Sequence, residues 1–109
     1  MAYDEKLAER IRGTLGEVPG LQVKKMFGGV GFILHGNMAV GVLNDEMIVR
    51  IPPQETVAAL AQPYTRVFDL TGRPMKGWVV VGLGGIADQA DFTHWVQTGV
   101  EYALSLPPK

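Results

Sequence analysis

An α+β fold is predicted by changes of rhythm along the chain. Leu7, Ala8, Ile11 and Leu15 recur at helical spacing, residues 21 to 51 alternate with a period of two, and Phe92, Trp95, Val96, Gly99, Ala103 and Leu106 return to helical spacing. The alternating stretch is broken only by short turns, at His35-Gly36-Asn37 and Asn44-Asp45. Strands joined this closely must run antiparallel, because parallel strands need a long crossover. The expected order is α-ββββ-α-β-β-α, with helices on one face of an antiparallel sheet of five to six strands.

Each element has a local reason. Asp4 can cap the first helix, Gly16 suits its C-terminal end, and Pro19-Gly20 turns the chain. Leu21, Val23 and Phe27 then alternate with polar residues. Val30, Phe32 and Leu34 form one face of the next strand, Met38, Val40 and Val42 continue it, and Met47, Val49 and Ile51 complete it. Pro52-Pro53 ends the run. Gln54 to Ala61 reads as a short helix with Val57, Leu60 and Ala61 inward, and Tyr64 to Leu70 as a weaker strand. The unbroken apolar run Trp78-Val79-Val80-Val81 predicts a strand covered on both sides. Gly84-Gly85 breaks the chain, Asp88 caps the last helix, and the tail from Leu106 to Lys109 is expected to fray.

A chain of 109 residues is one domain, 1–109. Hydrophobic residues at 47% and charged residues at 19% place it among globular proteins rather than disordered ones. It has no cysteine, which removes disulfides, thiolate metal sites and cysteine nucleophiles and suits a reducing compartment. No apolar run approaches the roughly 20 residues of a membrane span, and the acidic start is unlike a signal peptide. A cytoplasmic location without membrane attachment is expected. The net charge of −1 argues against direct nucleic-acid binding, which calls for a dense positive surface. Phe27, Phe68 and Trp78 read as core residues rather than base-stacking platforms.

Few residues carry chemistry. Gly82-Leu83-Gly84-Gly85-Ile86-Ala87 has the form of a dinucleotide fingerprint, but only the final helix and a Pro-Pro tail follow it, which leaves no second parallel strand. His35 and His94 lack ligand spacing, so no metal and no cofactor are expected. Asp88 and Asp91 suit a helix cap and its first turn. No serine lies in a nucleophile motif. The chain reads as non-enzymatic.

Two blocks stand out, Lys24-Lys25-Met26-Phe27-Gly28-Gly29 and Arg73-Pro74-Met75-Lys76-Gly77, which hold four of the ten Lys and Arg side chains. Gly28-Gly29 could turn successive amides outward as an anion nest. Lys24, Lys25, Arg50, Arg73 and Lys76 would supply charge around it, with Phe27 and Gly77 completing the candidate site. The simpler reading is preferred, in which the glycines serve a bulge or tight turn and the cations protect a sheet edge from unwanted pairing. Met26 and Met75 read as core fillers.

At these blocks the chain resembles the TfoX N-terminal domain family. The resemblance runs from the helix of Leu7 to Leu15 through Met26-Phe27-Gly28-Gly29, Phe32, Gly36-Asn37, Val49-Arg50 and Gly72-Arg73-Pro74-Met75-Lys76-Gly77 to the helix of Trp95. It implies a compact α+β domain and a link to regulation of natural competence. Longer members carry a C-terminal helical domain, and this chain resembles the short, stand-alone kind. The family supplies no catalytic residues to transfer. Two functions follow as expectations. One is a regulatory module that contacts a protein partner, a second copy included, through apolar surface on the sheet or the Trp95 helix. The other is binding of a small anion, a phosphate or nucleotide, between the two blocks.

Overall fold

The computed structural model describes residues 3–26, 28–69 and 75–108. Helix α1 (Glu5–Leu15) begins where Asp4 accepts hydrogen bonds from the amides of Lys6 and Leu7 at 2.9 and 3.2 Å, which satisfies two of the free donors at its N-terminus. Leu7 and Ile11 are buried, and Ala8 and Leu15 pack beside them.

A four-strand meander follows, β1 (Leu21–Met26), β2 (Gly29–Leu34), β3 (Asn37–Leu43) and β4 (Glu46–Arg50). A 3-10 turn (Pro53–Glu55) and helix α2 (Thr56–Leu60) lead to β5 (Thr65–Val67). The chain closes with β6 (Trp78–Val81), a one-turn helix α3 (Leu83–Ile86) and the long helix α4 (Gln89–Ser105). The six strands form one sheet in the order β1-β2-β3-β4-β6-β5, and all five pairings are antiparallel. One isolated parallel bridge, Tyr3 to Asn44, ties down the start of the chain.

All four helices seat on the same face. Val30, Phe32, Val40, Val42, Met47, Val49, Val79 and Val81 from the sheet join Ile11, Ala59, Ile86, Phe92, Trp95 and Val96 from the helices in one core. Ile48, Phe68 and Val80 form a separate cluster with Leu43, Met75 and Trp78 on the outer face. Val79, Val80 and Val81 are therefore buried from both sides, as their unbroken apolar run predicts. Their strand lies one place in from the β5 edge rather than at the centre of the sheet.

Four local expectations need correction. A bulge between Phe32 and Ile33 pairs Met38 with Ile33, so Met38 leaves the face of Val40 and Val42 for the outer face. On α2 the buried residues are Thr56 and Ala59, while Val57 is 82% exposed.

 The Thr56 hydroxyl turns that face inward, where it donates to the Pro53 carbonyl at 2.7 Å. Gly84 and Gly85 lie inside α3 rather than breaking the chain. The tail is tied down, because the buried Asn37 donates from Nδ2 to the Pro107 carbonyl at 2.9 Å.

The seat of α4 is set by Gly99. A Cβ there would run into the Ala39 carbonyl oxygen and stand 2.7 Å from Val40 Cγ1. Ala39 is the extra residue of the bulge, packed with Leu34 and Ala103. Gly13 on α1 has nothing within 4 Å of the equivalent position. Gly99→Ala is expected to cost about 1–3 kcal/mol by overpacking. Gly13→Ala is expected to stabilise by about 0.5–1 kcal/mol through helix propensity. Urea denaturation of the two variants checks both signs.

Candidate binding surfaces

The first cationic block occupies the edge strand. Lys24 pairs with Gly31 and Lys25 with Val30, so the two side chains leave on opposite faces, and both are exposed. Gly28, with φ 78°, makes the hairpin turn, and Gly29 already belongs to the ladder opposite Met26. This arrangement fits a protected edge. The other edge, β5, has three residues, and its Arg66 forms an ion pair with Glu46. Phe27 and Arg73 lie outside the described residues.

The second block lies elsewhere. Arg50 pairs with Trp78 at one end of the sheet, whereas the Gly28 turn lies at the end where Met47 pairs with Val81. Lys76 and Gly77 immediately precede Trp78. Between β2 and β6 there are three strand spacings, about 14 Å at the usual separation. Lys24, Lys25, Gly28 and Gly29 therefore do not converge with Lys76 and Gly77. Among the described residues the two blocks do not form one anion site.

Arg50, Lys76 and Gly77 do come together, around Trp78. The Arg50 guanidinium stands 5.3 Å from the Trp78 ring and 5.8 Å from the Tyr102 ring. Gly77, at φ 85°, donates its buried amide to Thr56 Oγ1 at 3.0 Å and accepts from the Ile51 amide at 2.9 Å. These bonds fix the start of β6 against α2. A cleft of about 340 Å³ opens beside them, lined by Thr56, Leu60, Val67, Met75, Lys76 and Trp78.

The outer face of the sheet offers a different surface. Gly31 and Gly41 pair across β2 and β3, and the side chains of Met26 and Met38 lie over them. Met26 reaches Gly31 at 3.2 Å from a would-be Cβ, and Met38 reaches both glycines. Met26, Met38 and Leu43 are each half-buried, and Ile33 is 8% exposed. None of the four helices packs here. Gly31 and Gly41 lie nearly symmetrically about the Gly36 turn, a signal that the sequence carries. The bulge that brings Met38 to them carries no such signal.

Trp95 is 5% exposed and belongs to the core, so it does not anchor a surface contact. Beside it a polar cleft of about 280 Å³ is lined by Gln62, Tyr64, Asp91 and His94 among others. Asp88 caps α4 as expected, accepting from the amides of Ala90 and Asp91 at 3.0 and 3.3 Å. Among the described residues no group of three His, Asp or Glu could hold a metal ion, and no helix is long and apolar enough to cross a membrane.

A family model, described as the TfoX N-terminal domain, matches residues 14–103. No curated protein matches the chain. The matched range runs from the end of α1 to Ala103 on α4, and so takes in the whole sheet and both surfaces above.

Thr56→Val is expected to cost about 1–3 kcal/mol, because it leaves the buried Gly77 amide without its acceptor. Urea denaturation measures the loss, and faster hydrogen exchange at the Gly77 amide locates it.

Proposed function

This chain belongs to the TfoX N-terminal domain family, and we propose that it is a non-enzymatic module that works by contact with another protein chain, in the first instance a second copy of itself. The observation that carries this reading is the β2–β3 part of the outer face, which no described helix covers and where the side chains of Met26 and Met38 lie over the Gly31–Gly41 pair. Glycines lower the sheet surface at that point, and methionines can repack against a visiting surface. Gln22 and Lys24 stand at one margin of this face and Glu46 with Arg66 at the other. An apolar centre with a polar rim is the usual anatomy of a contact surface.

Both sheet edges argue for the face over edge-to-edge pairing. Lysines occupy β1, and β5 is too short to template a second strand. A two-fold contact would place the same patch of each copy against the other. Any regulatory role, including the competence control that the family resemblance implies, would on this reading be exercised through such contacts rather than through turnover of a substrate.

Light scattering over a concentration series is expected to show a dimer. Met38→Glu should raise its dissociation constant by about tenfold or more, as for a central contact residue, with an unchanged circular dichroism spectrum. A strict monomer at millimolar concentration would overturn the self-contact, and so would a dimer indifferent to Met38→Glu.

A further inference from the structure

We propose that the cleft between α2 and the start of β6 binds a small amphipathic anion, a straight-chain carboxylate whose chain fills the cleft and whose carboxylate meets Lys76. The site is separate from Met26 and Met38 and stands independently of the self-contact.

The walls select the class of ligand. Leu60, Val67, Met75 and Trp78 are apolar, and a volume of about 340 Å³ falls in the range of small-molecule pockets. The Thr56 hydroxyl has no proton left to donate. It donates to the Pro53 carbonyl at 2.7 Å and accepts from the Gly77 amide at 3.0 Å. Of the side chains in the lining, Lys76 alone carries a charge, and it is exposed with no ion-pair partner among the described residues. Its stem can follow the apolar wall while its ammonium stays at the mouth.

A ligand rich in hydroxyls or amides would lose its hydrogen bonds to water on the walls of Leu60, Val67 and Met75 and regain few of them. A ligand with one charged end and an apolar body loses nothing comparable. The sign of the charge follows from Lys76 and from Arg50, whose guanidinium lies on the Trp78 ring that walls the cleft. Among the described residues neither cation has an ion-pair partner. A carboxylate at Lys76 would form a charge-assisted hydrogen bond there.

The test is calorimetric titration with butyrate, hexanoate, octanoate and octanol. Affinity for the carboxylates is expected to rise roughly fourfold per methylene until the cleft is full. Lys76→Met should weaken octanoate by about tenfold or more and leave octanol unchanged, whereas Lys76→Arg should retain octanoate binding. Lys76 is exposed, so circular dichroism of both variants should match the parent. Amide shifts on adding octanoate should map to Leu60, Met75 and Trp78. No binding of octanoate at millimolar concentration would overturn the proposal. So would equal affinity for octanol with no effect of Lys76→Met, or shifts that map elsewhere.

Discussion

Helix α4 can reach the sheet closely because two backbones meet where no side chain separates them. Gly99 lies against the Ala39 carbonyl, and Ala39 is the residue added by the bulge in β3. That single contact sets the height of α4 over β3 and β4. Phe92, Trp95 and Val96 then fill the space along the same helix, with Ile11 from α1 and Ile86 from α3 closing the sides. A side chain at position 99 would lift the helix and open a void beneath these large residues.

The same bulge shapes the opposite face. By adding one residue to β3 it turns Met38 outward, onto the glycine pair that Met26 also covers. Packing on one face and the apolar patch on the other therefore share one backbone irregularity. At the far end of the sheet, Thr56 and Gly77 hold α2 to the start of β6, and the cleft beside Lys76 exists because that joint is made from backbone and hydroxyl groups rather than bulky side chains.

Much of the fold was legible along the chain. Asp4 and Asp88 act locally as helix caps, and the period-two runs needed only their own alternation to be recognised. The candidate site was less so. Two blocks alike in composition read as halves of one anion site, yet the strand order carries the Gly28 turn and the Lys76-Gly77 pair to different ends of the sheet. Lys24 and Lys25, adjacent in sequence, point to opposite faces. Arg50 and Trp78 are 28 positions apart and pair directly. Spacing along a strand predicts which face a residue takes, but not which strand lies beside it.

By itself the sequence determined the fold class, the antiparallel meander, the caps and the amphipathic stripe of α4, all of which rest on interactions between residues close in the chain. Only the tertiary structure decided the face of α2, the outward turn of Met38 and the meeting of Arg50, Lys76 and Trp78. Those features depend on strand register and on where one backbone can approach another. Both are settled by packing between elements distant in sequence, and local pattern carries no record of them.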